Sequence, residues 1–145
     1  MKTRMIEIKY FDKNMPKLEQ VYGGDWIDLR VRNEEHLKQG EYKELQLGVA
    51  MFLPVKCEAL VIPRSSTFKK WGIIQTNSVG LIDNTYCGDN DEWKFPCIAT
   101  REIIIPQYTR IAQFRILENQ PFIFFNRVES LDYPDRNGFG STGTI

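Results

Sequence analysis

Histidine is almost missing from this chain of 145 residues: His36 is the single one. The three cysteines, Cys57, Cys87 and Cys97, are odd in number and show no C-x-x-C spacing. That supply argues against a disulfide framework and against a zinc site of thiolates or imidazoles. An excess of either charge is missing too. Nineteen Lys and Arg balance nineteen Asp and Glu, leaving neither the basic field that duplex nucleic acid calls for nor an acidic tail. No apolar run approaches the roughly 18 residues of a membrane span, and Met1–Arg4 leads into alternation instead of the apolar stretch of a signal peptide. Internal repeats are absent. The expectations are a small-molecule partner, no nucleic acid, no membrane and a reducing cytoplasm.

What is present is a series of short apolar runs. Residues 5–11 alternate apolar and charged, the period of a half-buried strand, and residues 12–20 form a polar, proline-containing connection. Residues 26–32 alternate again, and residues 33–40 read as a charged turn region in which His36 is solvated. Residues 44–54 carry Leu45, Leu47, Val49, Met51 and Leu53 on one face and are expected to pair as a hairpin with the strand at 57–62. Residues 65–72 are the single predicted helix, with serine at its start and glycine at its end. Runs at 93–99, 101–105, 111–117 and 121–128, punctuated by Pro96, Pro106 and Pro121, complete the series. Short strands at about ten-residue spacing predict an all-β domain: a sandwich, jelly roll or barrel. From Glu129 glycines accumulate and little remains to bury, so a domain over 1–128 and a flexible arm over 129–145 are expected.

Four places carry chemistry. Asn77 to Gly88 reads as a hairpin that forms a pocket, with Gly80 and Gly88 allowing close approach of the backbone to a flat ring. Within it Asp83 either caps the turn or faces a ligand. Arg64, Ser65 and Ser66 stand where the helix begins, either as a serine cap beside a solvated arginine or as a phosphate site. Asp28 reads by itself as an inward carboxylate satisfied by amides, and Gln113 can reach a phosphate oxygen or a metal-bound water from its strand. In the tail, Arg136, Phe139, Gly140, Ser141 and Thr142 combine an anion partner, a ring and glycine-exposed amides and hydroxyls.

These stretches resemble, in order, the motifs of the trimeric dUTPase family. Asn77–Gly88 is similar to its third motif, G-N-x-x-G-x-I-D-x-x-Y-x-G, with Thr76 for the first glycine. Pro63-Arg64-Ser65-Ser66 is similar to the second and Arg110-Ile111-Ala112-Gln113 to the fourth, with Tyr108-Thr109 where Gly-Asp is usual. Asp28-Leu29 resembles the end of the first, with Trp26 and Ile27 in place of the usual small residues. Arg136–Gly143 resembles the fifth, two residues short between arginine and phenylalanine. The chain is thereby identified as a member, of a Gram-positive or phage-like kind.

The resemblance implies a distorted jelly-roll or β-barrel (β-clip) fold with one short helix and a C-terminal arm. It implies hydrolysis of dUTP to dUMP and pyrophosphate by water attack at the α-phosphorus, which limits uracil in DNA and supplies dUMP for dTMP. Asp83 would be the general base; Arg64, Ser65, Ser66, Arg136, Ser141 and Thr142 would hold phosphates. Asn77, Gly80, Leu81 and Ile82 would read uracil, Tyr86 would lie against the deoxyribose, and Phe139 would cover the base with Gly140 beside it. Mg2+ would be held through phosphates and water, with Asp28 and Gln113 acting through water, in a homotrimer whose sites lie between subunits. A dCTP deaminase, a bifunctional deaminase–dUTPase or a nucleotide-sensing regulator are the rival readings; Tyr86 and the Phe-Gly-Ser-Thr-Gly arm oppose the deaminase. Residues 89–95 depart from the family pattern and read either as a solvated loop with Trp93 in the core or as a loop placing Trp93 or Lys94 beside the nucleotide.

Overall fold

The computed structural model describes residues 3–138, 140 and 143. Among them are eleven strands and one helix, arranged as β1 (Glu7–Tyr10), β2 (Ile27–Arg30), β3 (Glu35–Leu37), β4 (Tyr42–Gln46), β5 (Val49–Phe52), β6 (Cys57–Pro63), α1 (Thr67–Trp71), β7 (Ile73–Gln75), β8 (Gly80–Ile82), β9 (Lys94–Ala99), β10 (Ile103–Ile105) and β11 (Arg110–Glu118). Every described strand pair is antiparallel. A four-stranded sheet runs β2-β11-β6-β8, a three-stranded sheet β4-β9-β7, and two small ladders join β1 to β5 and β10 to β3. The fold is all-β and jelly-roll-like, as the spacing of the apolar runs predicts.

Alternation along the strands builds one core. β6 turns Cys57, Ala59 and Val61 inward, and β9 turns Phe95, Cys97 and Ala99 inward. All of these but Cys57 meet Leu29, Leu45, Val49 and Phe114 in a cluster fed by all four sheets. Trp93 is fully buried at its centre, its ring edge-on to Phe114 with centroids 5.1 Å apart. This places Trp93 in the core and corrects the reading that sets it against a nucleotide.

Three strand expectations fail for physical reasons. The run at 44–54 is two strands in different sheets, because the chain takes a left-handed turn at Gly48 (φ 73). A Cβ there would lie 2.5 Å from Met15 Sδ. β4 then pairs with β9, β5 with β1, and β6 with β11 and β8, so the expected 44–54/57–62 hairpin does not form. The charged run at 33–40 contains β3, whose Glu35 is buried against Lys43 Nζ at 2.5 Å; His36 is indeed exposed, 2.8 Å from Glu34. The run at 121–128 is not a strand. Phe122, Phe124 and Phe125 are all more than 80% exposed, in a segment that leaves the body after Glu118 and carries no strand or helix through residue 138.

Candidate active site

Asp28 and Gln113 are direct neighbours across β2 and β11, with Ile62 of β6 on the other side of Gln113. Arg110 reaches the same face although it lies three residues from Gln113, an odd spacing that would put it on the opposite face of a regular strand. The register shift between Arg110 and Ala112 makes this possible: Ile111 is the extra residue of a bulge, and both Ile111 and Ala112 turn inward.

The result is a carboxylate ringed by guanidiniums. Arg64 Nε lies 2.9 Å from Asp28 Oδ1 and Arg110 Nη1 3.5 Å from Asp28 Oδ2. Arg30 stands opposite Arg110 in the register and donates from Nη1 to the Tyr108 carbonyl at 2.9 Å. Burial, with Arg110 beside it, lowers the Arg30 guanidinium from its ordinary value, though it stays charged. Arg30, Arg64 and Arg110, with Lys17 nearby, outnumber the carboxylates Asp28 and Glu19 and leave this end of the sheet cationic, a place for an anion with several charges.

The loop bearing Arg64 is fixed from below. The buried Thr67 hydroxyl accepts the Arg64 N–H at 2.9 Å and donates to the Ile111 carbonyl at 2.7 Å, tying this loop to the bulged strand. The expected serine cap does not form: Ser66 occupies the N-cap position but its side chain makes no capping bond. Ser65 is exposed and Ser66 half-buried beside Arg64. The Gln113 side-chain amide donates to the Pro63 carbonyl at 3.2 Å, leaving its oxygen as an acceptor.

The stretch 77–88 is half a hairpin. Only Gly80–Ile82 forms a strand, and it pairs with β6, Gly80 opposite Val61 and Ile82 opposite Ala59. Gly80 is closely packed, since a Cβ would meet Val61 Cβ at 3.1 Å. Gln75 supports this approach by donating to the Val61 carbonyl at 3.1 Å. Asn77 and Leu81 are exposed and Ile82 is half-buried. Asp83 does cap the turn: its Oδ1 accepts both the Thr85 N–H and the Thr85 hydroxyl at 2.8 Å. The Thr85 amide, then its hydroxyl, hold the Asp83 carboxyl below the ordinary carboxylate range, so it is ionised, and its second oxygen is open to solvent. Tyr86 follows, its N–H on the Asp83 carbonyl at 3.0 Å and its hydroxyl on the Glu92 carbonyl at 2.9 Å.

One chain does not bring these two groups together. Ile82 faces Ala59 while Arg64 follows Pro63 at the other end of β6, so roughly 17 Å of strand separate them at about 3.3 Å per residue. Asp83 instead lines an open concavity with Glu58, Glu118, Asn119 and Gln120. Arg136 lies exposed, and the Gly143 N–H donates to the Gly140 carbonyl at 2.9 Å. Phe139, Ser141 and Thr142 lie outside the described residues.

Sequence reasoning missed Arg30, Thr67 and Glu92. Arg30 had a signal, standing two residues from Asp28 on the same face of an alternating strand; the other two are set by tertiary contacts.

The structure gives an all-β fold with a cationic site at one end of its main sheet, and comparison with known proteins makes the class specific. The profile of the dUTPase family matches residues 26–143. The SPbeta prophage-derived deoxyuridine 5'-triphosphate nucleotidohydrolase YosS of Bacillus subtilis is 49% identical over 139 residues, covering 96% of this chain and 98% of its own. A deoxyuridine 5'-triphosphate nucleotidohydrolase of Corynebacterium glutamicum is 30% identical over 141 residues, with 95% and 94% covered. Among solved structures, a Staphylococcus bacteriophage 80alpha dUTPase superposes with a TM-score of 0.79 at 19% identity over 98% of this chain and all of its own, which speaks for the fold. The chain belongs to the dUTPase family.

Proposed function

We propose that this protein is a dUTP diphosphatase, converting dUTP and water to dUMP and pyrophosphate. The observation that carries the reading is the pairing of Arg64 and Arg110 with Asp28, with Arg30 opposite Arg110 in the register, in a chain of this family. Phosphoryl transfer asks a protein mainly to position the phosphates and neutralise their charge. Arg64 with the Ser65 and Ser66 hydroxyls holds the phosphate chain, and the Gln113 oxygen accepts from a water at its edge. Arg136, Ser141 and Thr142 would add to this from the arm, and Phe139, with Gly140, would cover the base. Asn77 and the backbone of Gly80, Leu81 and Ile82 read the uracil edge, and Tyr86 lies against the sugar. Asp83, ionised and with one oxygen free, orients and deprotonates the attacking water.

Among the described residues no group of three or more His, Cys, Asp or Glu could hold a metal. The donors present therefore fit Mg2+ carried in on phosphate and water oxygens, with Asp28 and Gln113 contacting its waters. Bound there, the ion would neutralise charge on the phosphates. In the cell, the reaction would keep uracil out of DNA and yield dUMP for dTMP synthesis in the cytoplasm.

The site is completed between chains of a homotrimer. Two observations support this: Asp83 and Arg64 sit at opposite ends of β6, and the phenylalanine-rich segment after Glu118 finds no burial on its own chain. An arm beginning at Asn119 and closing over a neighbouring subunit would cover it. The test is pyrophosphate release from dUTP, dCTP, dTTP and UTP with Mg2+, with ammonia release from dCTP as the check for a deaminase. Release from dUTP alone is expected, and ammonia from dCTP would overturn the reading.

A further inference from the structure

We infer that Asp89–Glu92 is a brace that sets sugar specificity, in which Glu92 is a positioning residue acting through the Tyr86 hydroxyl. The inference rests on the reading that Tyr86 faces the sugar, and asks what holds its ring there.

Tyr86 is 37% exposed, so packing alone does not fix its ring. Its hydroxyl is anchored on the carbonyl of Glu92. The residue is 5% exposed. Its Oε1 pairs with Arg32 Nη1 at 3.0 Å and its Oε2 accepts the Gly48 N–H at 2.9 Å, so both carboxylate oxygens are engaged. The next residue is the buried Trp93, whose N–H donates to the Val49 carbonyl and whose carbonyl accepts the Leu47 N–H. The acceptor of the Tyr86 hydroxyl is thus welded to the core on both sides.

The chain between the two is tied as well. Asp83 and Thr85 close the turn that delivers Tyr86. Asp91 closes the next, its Oδ2 taking the Gly88 N–H at 2.8 Å and its own N–H donating to the Gly88 carbonyl at 3.1 Å. Lys9 Nζ pins the tip by donating to the Asp89 carbonyl at 2.8 Å. A loop that served only as a solvated connection would need none of these bonds to reach the phenol. Their joint effect is to fix the ring against which a 2′-hydroxyl would clash. A buttressed ring excludes that hydroxyl; a ring free to swing by about 1 Å admits it, and displacements of that size are worth up to about a hundredfold in rate.

The test measures kcat/KM for dUTP and UTP, and affinity for dUMP and UMP by calorimetry, in the wild type, Tyr86→Phe, Glu92→Gln and the double variant. Tyr86→Phe deletes the anchor and leaves the ring; it is expected to lower the dUTP-to-UTP ratio about tenfold, chiefly by admitting UTP. Glu92→Gln is expected to move the ratio in the same direction, and the double variant to be no worse than Tyr86→Phe, because Glu92 acts through the bond already deleted. A lost carboxylate that merely loosened the fold would lower melting temperature and both substrates together. An unchanged ratio in Tyr86→Phe, or additive losses in the double variant, overturns the inference. If Glu92→Gln does not fold, Arg32→Gln releases the same carboxylate from the other side and takes its place. A wild type that fails to prefer dUTP over UTP defeats the functional reading itself, an outcome distinct from a preference that persists in Tyr86→Phe.

Discussion

The Arg64 guanidinium lies 2.9 Å from the Asp28 carboxylate, so the residue proposed to hold phosphate is occupied by an internal anion in the free protein. Asp28 can act in two ways: by aiming Arg64, or by contacting the hydration shell of a bound metal. Asp28→Asn separates them. With one negative charge removed from among three arginines, dUTP without Mg2+ is expected to bind at least as tightly as in the wild type. Magnesium-dependent kcat is expected to fall about tenfold or more, as for a lost group that orients a reacting shell. Weaker metal-free binding, measured by calorimetry, would assign Asp28 to aiming Arg64.

Asp83→Asn is nearly isosteric and is expected to abolish hydrolysis while dUTP still binds. A finer test uses the carboxyl's environment. Two bonds from Thr85 hold Asp83 below its ordinary value of 3.8, keeping the base ionised to lower pH. Thr85→Ala removes the hydroxyl bond and leaves the amide bond. The Asp83 value then rises part of the way back, and the acid limb of the kcat profile moves up in pH. An acid limb that stays in place would mean that another group sets it.

Tyr108 holds a left-handed backbone (φ 64) where the family usually has glycine, and its hydroxyl donates to Asp12. That bond is the largest cause of both a lowered Asp12 and a raised Tyr108. Asp12 therefore contributes stability above its ordinary 3.8, lost as pH falls through its lower folded value. Tyr108 contributes below its ordinary 10.0, lost as pH rises through its higher folded value. The melting-temperature gap between the wild type and Tyr108→Phe is expected to be widest between these limits and to shrink beyond each. A gap constant from pH 3 to 11 would sink the account.

Much of the fold is legible because strands buried on one face alternate or form short apolar runs: β1 and β2 fall where alternation puts them, and β6, β9 and β11 where the apolar runs do. The break at Gly48 is not legible, since Leu45, Leu47, Val49 and Met51 are buried whether they form one strand or two. Nor does an apolar run say whose core it fills: Phe122 to Phe125 read as an internal strand and lie outside. In the site, the residue types of Asp28, Arg64 and Gln113 are visible as motifs. Arg110 joins their face only through the bulge at Ile111, which leaves no mark in composition, and Thr67 and Glu92 act through contacts to strands far along the chain.

Trp93→Ala is expected to cost about 3–5 kcal/mol, the range for removing a buried aromatic side chain, because the ring fills the centre of the core against Phe114. Trp93→Phe is expected to cost less and to leave dUTP affinity intact. Denaturant melts and calorimetry check both. A selective loss of affinity in a stable Trp93→Phe would return this ring to the nucleotide.

The distance along β6 between Arg64 and Asp83 has a genetic consequence. Where a site draws Arg64 from one chain and Asp83 from another, a gene carrying Arg64→Ala and a second carrying Asp83→Asn would each be null alone. Expressed together in equal amounts, they would rescue one another, because about a quarter of randomly mixed interfaces would combine the intact half of each. The same arithmetic makes neither allele dominant over the wild type, since a chain lacking one of the two residues disables only the site to which it would have given that residue.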